Sequence, residues 1–223
     1  MIAAATPGWF GKLPSLGDFA SRRVDVDFME AWDAWLAQGL AGWQARDGDA
    51  WLTDYLNGPS WRFVLMPGAL PGTLPGECGA HAWAGAITPS VDRVGRYFPL
   101  TLVQRLDALP EGAEQGASLL AWLLQLDDLA VDAMLEEWPV DQLETELARL
   151  SPPTISGIPI VSPIAALLGD LRSRTESWRG RTFWITHGAE ADLLHLSAGL
   201  PKGAALPALL SGTPEFTSPN EQP

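Results

Sequence analysis

His81-Ala82-Trp83-Ala84-Gly85-Ala86-Ile87-Thr88 reads as a β-strand with two unlike faces. Side chains alternate across a strand, so Ala82, Ala84 and Ala86 share one face while Trp83 and Ile87 share the other. The small face lets a helix lie close to the sheet. Downstream, a turn from Pro89 to Gly95 leads to another strand from Phe98 to Leu106. Pro99 marks its entry, because proline cannot donate to a ladder. Upstream, Trp61 to Met66 is apolar on both faces, which makes it a central strand. Between these two, Pro67 to Ala80 carries Pro-Gly pairs at 67/68, 71/72 and 75/76 and reads as a mobile surface loop. Short turns between consecutive strands point to antiparallel pairing.

Further out, Gly8 to Lys12 forms a short strand followed by a turn over Pro14 to Asp18. A helix capped by Asp25 or Asp27 places Phe28, Trp32, Trp35, Leu36, Leu40 and Trp43 on one face. Asp49 caps a second helix bearing Trp51 and Tyr55, closed by Asn57-Gly58-Pro59. Leu119 to Leu126 wraps most of a helix and should be heavily buried. Val140, Leu143, Leu147 and Leu150 make a one-sided stripe behind Pro139, with Asp141, Glu144 and Glu146 outward. Ser151 to Pro159 is an irregular link. Ser162-Pro163 opens a helix carrying Ile164, Leu168 and Leu171. Thr182–Thr186 and Leu193–Ser197 are strands around the turn Gly188-Ala189-Glu190, and a short helix over Ala204 to Leu210 ends the pattern. The order predicts an α/β fold: a mixed, mostly antiparallel central sheet of about five or six strands, with helices on both faces. It predicts one domain over 1–211 and a flexible tail over 212–223.

Composition narrows the function. The 223 residues hold 14 Lys+Arg against 27 Asp+Glu, a net charge of −13, and 47% are hydrophobic. That apolar fraction excludes a disordered chain, and the length suits one large domain. The acidic balance argues against nucleic-acid binding, which needs clustered cations. Only Lys12 and Lys202 are lysines, so polybasic membrane docking is not expected either. Leu119 to Leu124 is too short an apolar run for membrane insertion. The N-terminus shows no signal-peptide pattern, and the single Cys78 excludes an intrachain disulfide. Together these point to a soluble cytosolic protein. Residues 107–150 carry most of the negative charge, and they read as a solvated acidic face. Eleven tryptophans follow helix and strand periodicity, so they read as core, half-buried beneath polar edges, ahead of a carbohydrate platform.

Most catalytic signatures are missing. Gly11-Lys12 is no P-loop, because Thr6 stands where its first glycine belongs and Leu13 follows the lysine. There is no G-x-S-x-G elbow and no G-x-G-x-x-G after the first strand. Cys78-x-x-His81 is half of a zinc site, and His187 and His195 do not complete it. The neighbouring acids Asp127-Asp128 and Glu136-Glu137 point apart on a helix and read as surface. Two charged corners remain. One is Ser90-Val-Asp-Arg-Val-Gly-Arg-Tyr-Phe-Pro-Leu100, in which Asp92 pairs with Arg96, Gly95 supplies backbone freedom and Arg93 projects outward. The other is Gly11-Lys-Leu-Pro-Ser-Leu-Gly-Asp-Phe19, whose Lys12 and Asp18 can pair with the first corner. A turn stapled by ion pairs explains both. A guanidinium-lined site for a partner's carboxylate or phosphate is the functional alternative.

Three strings together carry a resemblance: Gly8-Trp-Phe-Gly-Lys-Leu-Pro-Ser-Leu-Gly-Asp-Phe19 with Ser21-Arg22-Arg23, Pro59-Ser-Trp-Arg-Phe63, and Pro89-Ser-Val-Asp-Arg-Val-Gly-Arg-Tyr-Phe-Pro-Leu-Thr101. In order and spacing they resemble the TagF family (also called ImpM) of type VI secretion-associated proteins of Gram-negative bacteria. The strings lie within residues 8–106. The resemblance implies a longin- or SNARE-like α/β sandwich and a non-enzymatic, cytoplasmic accessory role. It implies repression of type VI secretion after translation by binding the forkhead-associated scaffold protein of the apparatus, with no cofactor and no catalytic residue. The family motif falls on Gly11, Lys12, Gly17, Asp18, Arg62, Asp92, Arg93, Gly95 and Arg96, which either contact a partner or hold the fold. Two alternatives stand beside it: an enzyme using the charged turns as an anion pocket for a phosphate or sugar substrate, and a structural subunit docking through the acidic 107–150 segment.

Overall fold

The computed structural model describes residues 6–72, 74, 76–150, 162–188 and 191–212. Strands β1 (Gly8–Gly11) and β2 (Ala20–Arg22) precede helices α1 (Val26–Asp47) and α2 (Ala50–Leu56). Strands β3 (Trp61–Leu65), β4 (Ala82–Thr88) and β5 (Leu100–Leu106) come next. Helices α3 (Ala113–Leu135), α4 (Val140–Arg149), α5 (Pro163–Gly169) and α6 (Thr175–Trp178) follow. The described chain ends with β6 (Arg181–His187), β7 (Asp192–Ala198) and α7 (Ala205–Ser211). The sheet has seven strands in the order β2-β1-β5-β4-β3-β6-β7, and every neighbouring pair is antiparallel. The α/β class and the central sheet stand as read. The extra strand is β2, whose three residues are too few to display an alternation.

The two faces of β4 organise the two halves of the core. Ala82, Ala84 and Ala86 lie under α3, in one apolar cluster with Leu119 and Leu123 and with Leu168 of α5, which packs on α3. Trp83 and Ile87 join Phe28, Trp32, Leu36 and Leu209 from α1 and α7 on the opposite side. The tryptophans are core, but they are more deeply buried than expected. Trp9, Trp32, Trp43, Trp61, Trp122 and Trp184 are almost fully enclosed. Burial is tolerable because indole N–H groups find oxygens: Trp32 donates to Thr101 Oγ1 at 2.9 Å, Trp61 to the Leu209 carbonyl at 2.7 Å and Trp35 to the Pro201 carbonyl at 2.6 Å.

Several local expectations change. Residues 67–80 are not a surface loop throughout: Ala69, Leu70 and Cys78 are buried against the tryptophan side. Gly68 N–H donates to the Gly79 carbonyl at 2.7 Å, and Trp83 Nε1 donates to the Cys78 carbonyl at 2.9 Å. Gly68 and Gly72, both at positive φ, turn this stretch while Ala69-Leu70 anchors it. Neither Asp25 nor Asp49 caps its helix through the side chain. Asp27 instead accepts from the Phe28 and Cys78 backbone N–H groups, tying α1 to that stretch. Ser162 does cap α5, accepting from Ala165 N at 3.4 Å. Glu144 is not purely outward: Trp9 Nε1 and Arg23 Nη1 each donate to it at 2.6 Å, locking α4 to the β1–β2 edge. The link at 151–159, Ala189 and Glu190 of the late turn, and the tail beyond Gly212 lie outside the described residues.

Candidate functional site

Strand β1 pairs antiparallel with β5, with Phe10 opposite Thr101. The turn leaving β1 therefore sits beside the turn entering β5, and the two charged corners become one. Lys12 and Asp92, 80 positions apart in sequence, meet at 2.6 Å with both side chains buried. Asp92 is the hub. Its Oδ1 accepts from Val94 N at 3.0 Å and Arg96 N at 2.9 Å, while its Oδ2 accepts from Arg96 Nε at 2.8 Å as well as from Lys12. Burial by itself would raise this carboxyl, but the donors from Lys12, Arg96 and Val94 outweigh it and hold Asp92 well below the usual carboxylate range.

The rest of the corner is equally self-contained. Arg96 Nη2 donates to the Gly17 carbonyl and lies 3.6 Å from Asp18. Arg93 N–H donates to the Leu16 carbonyl at 2.9 Å, a direct backbone tie between the turns. Ser90 Oγ donates to the Lys12 carbonyl at 2.6 Å, and the buried Tyr55 hydroxyl donates to the Ser90 carbonyl at 3.0 Å. The Lys12 ammonium also sits 4.1 Å from the centroid of the Phe19 ring. Gly95 holds φ +83°, which closes the tight turn around Asp92. Gly11 holds φ +131°, and a Cβ there would stand 2.1 Å from the Pro99 carbonyl oxygen. Arg93 is exposed and its side chain makes no hydrogen bond or ion pair among the described residues. Val94 beside it is 64% exposed and Phe19 is 45% exposed.

Arg62 belongs to a second polar centre on the other side of the sheet's middle. It is completely buried on β3, the one charge in a strand that otherwise reads apolar. Its Nη2 donates to Asp192 Oδ1 at 3.1 Å, and its Nε lies 3.7 Å from Asp127 Oδ2. Among the described residues, Nε and Nη1 have no hydrogen-bond partner. Ser60 Oγ donates to Asp127 Oδ1, and His187 Nδ1 lies 2.9 Å from Asp192. Burial pushes the Asp127 carboxyl up to about 6 against the pull of Arg62 and His187, with Asp128 and Asp192 adding to the rise. A cleft of about 440 Å³ opens over this centre, lined among others by Ser60, Asp127, Asp128, Asp132 and His187. Among the described residues, no group of His, Cys, Asp and Glu stands in metal-binding arrangement.

The sequence model of the TagF N-terminal domain, described as type VI secretion system-associated, matches residues 8–150. The chain belongs to the TagF family. Among solved structures, PA0076 from Pseudomonas aeruginosa PAO1 is similar, with a TM-score of 0.71 and 31% identity over 97% of each chain. No curated protein matches. Family membership places this chain among type VI secretion-associated proteins. No helix among its described residues is long and apolar enough to cross a membrane.

The matched segment contains all nine motif positions of this TagF chain. Gly11, Lys12, Gly17, Asp18, Asp92, Arg93, Gly95 and Arg96 gather at one corner, while Arg62 lies apart, with Asp127 and Asp192. Asp127 corrects the expectation of a solvated Asp127-Asp128 pair, for only Asp128 faces water. A signal was available: Leu120, Leu123, Asp127 and Ala130 recur at helical spacing on the buried stripe of α3. Asp192 and His187 lie beyond the matched segment, and nothing in their spacing marks them.

Proposed function

We propose that this TagF protein is a non-enzymatic cytoplasmic accessory factor that represses type VI secretion after translation by binding the forkhead-associated scaffold protein. Family membership supports the setting. The single observation that carries the non-catalytic part is the arrangement around Asp92. Its carboxylate takes four donors from within the chain, and Lys12 is buried against it. Groups committed to one another in this way are poor acids, bases or anion receptors, which counts against an anion-pocket enzyme at the corner. The same arrangement divides the labour between two arginines. Arg96 staples the turns together, whereas Arg93, flanked by Val94, is the side chain offered to a partner.

Co-purification of the tagged chain with the forkhead-associated protein tests the proposal. Arg93→Ala should cut capture at least tenfold while leaving the circular dichroism spectrum and melting temperature unchanged. Full capture by folded Arg93→Ala would remove the corner as the contact. Failure of the wild-type chain to capture the scaffold would remove the partner.

A further inference from the structure

The seven-stranded sheet ends in two very different edges. The β2 edge is three residues long, ends in Arg22 and is followed by Arg23, features that discourage further pairing. The β7 edge is seven residues long and pairs with β6 in unbroken register from Arg181–Ala198 to His187–Asp192. It carries no proline, no lysine and no bulge, and nothing among the described residues pairs with its outer side. Leu193 and Leu196 are 42% and 39% exposed.

The hydrogen-bonding phase of that outer side follows from the ends of the β6–β7 hairpin. Gly188 N–H donates to the Ala191 carbonyl at 3.0 Å, and Gly199 N–H donates to the Gly180 carbonyl at 2.7 Å. Opposed residues in an antiparallel pair alternate between bonded and non-bonded, so Leu193, His195 and Ser197 spend their backbone groups on β6. Asp192, Leu194, Leu196 and Ala198 therefore aim theirs outward.

We propose that β7 is a self-pairing edge: two copies of this chain join antiparallel about His195, continuing one sheet across both molecules. A two-fold axis perpendicular to the sheet keeps each face on its own side, so only residues of equal parity can oppose one another. Centred on His195, Leu194 of each copy meets Leu196 of the other, and Asp192 meets Ala198. These are the residues with outward backbone groups, so each such pair exchanges two hydrogen bonds. The pairing also matches charges. Arg181 lies on β6 next to Ala198, on the same face as Asp192, is exposed, and makes no ion pair among the described residues. The small Ala198 leaves room for Arg181 to reach across to the facing copy's Asp192 at both ends of the seam. No like charges oppose each other along the leucine pairs. The isologous geometry closes after two copies, which leaves the short β2 edges outside and stops further growth.

The test uses the full chain at about 0.15 M salt, where a Debye length of about 8 Å keeps the remote acidic helices from governing association. Sedimentation should show a dimer that dissociates on dilution, and Leu196→Lys, at an exposed position, should be a folded monomer. Register is read by oxidation in a Cys78→Ser background. His195→Cys should form an intermolecular disulfide, because non-bonded pairs hold their Cα atoms about 4.5 Å apart, within disulfide reach. Leu193→Cys, which faces Ser197, should not. A wild-type chain that stays monomeric at 100 times its working concentration overturns the proposal. So does a dimer indifferent to Leu196→Lys, or one cross-linked through position 193 rather than 195.

Discussion

Replacing Asp127 by Asn probes the buried Arg62 centre through its pH dependence. Burial raises the Asp127 carboxyl from 3.8 to about 6 in the folded protein. A raised folded value means that the native state binds the proton more tightly than the unfolded chain does. The associated stability is complete below pH 3.8 and is lost as pH rises through 6. The difference of roughly two units corresponds to about 3 kcal/mol in total, and about 1.4 kcal/mol of it is lost between pH 5 and 7.5. Asn cannot ionise and loses nothing over that range. It still accepts from Ser60 through its amide oxygen, so the variant keeps the local bond that Ala would remove. Carboxylates remote from Asp127 titrate in both proteins and cancel in the difference. Urea unfolding of wild type and Asp127→Asn at half-unit steps from pH 5 to 7.5 gives the comparison. Relative to wild type, the variant should gain about 1.4 kcal/mol across the series. A stability difference that is flat with pH, or that moves in wild type's favour as pH rises, refutes the assignment of a desolvated carboxyl at 127.

Other perturbations separate positions that look alike in sequence. Gly11→Ala should cost about 1–3 kcal/mol from its left-handed backbone alone, plus a clash with the Pro99 carbonyl. Gly17→Ala should stay within about 0.5 kcal/mol, because the nearest atom to an added Cβ is Arg93 Nη2 at 3.8 Å. Denaturant midpoints will show whether the two motif glycines differ. Ala84→Leu should destabilise by about 1–3 kcal/mol, since the small face of β4 is closed by α3. An unchanged melting temperature would mean that the helix does not lie there. Cys78 should resist thiol reagents: burial first, then the nearby Asp27 carboxylate, pushes its thiol up from 9.0 to about 11. Its thiolate fraction at pH 7.5 is then about 100-fold lower than that of an ordinary thiol. Stoichiometric labelling within seconds in native buffer would contradict that.

What was legible in the sequence was whatever repeats. The alternation over Ala82–Ile87 and the helical spacing from Phe28 to Trp43 located strands, helices and both halves of the core, because burial imposes a period on a regular element. What has no period was missed. Strand β2 owes its existence to β1 beside it, not to any pattern of its own. Asp25 and Asp49 do stand at the N-cap positions of α1 and α2, but neither side chain makes the capping bond, because the right residue type at a boundary does not fix where its oxygen points. Asp127 and Asp128 show the same gap in sharper form. The rule that adjacent helical residues diverge is correct, and it is the reason one of them enters the core. Solvent cannot then be assigned to both.

The charged corner shows how topology turns two weak local signals into one strong centre. Neither turn alone explains a buried lysine: Lys12 has no acid nearby in sequence except Asp18, which remains 80% exposed at its side chain. Antiparallel pairing of β1 with β5 delivers Asp92 from 80 positions away. Once Asp92 is there, the roles of the arginines follow by geometry. The next turn must bring backbone N–H groups back to the carboxylate, which requires Gly95 to reverse the chain and places Arg96 on the inside of the bend. Arg93 then lies on the outside, because the same bend cannot turn both side chains inward. Arg96→Ala should therefore lower stability and partner capture together, whereas Arg93→Ala should lower capture alone. Identical profiles for the two variants would show that the bend does not divide them in this way.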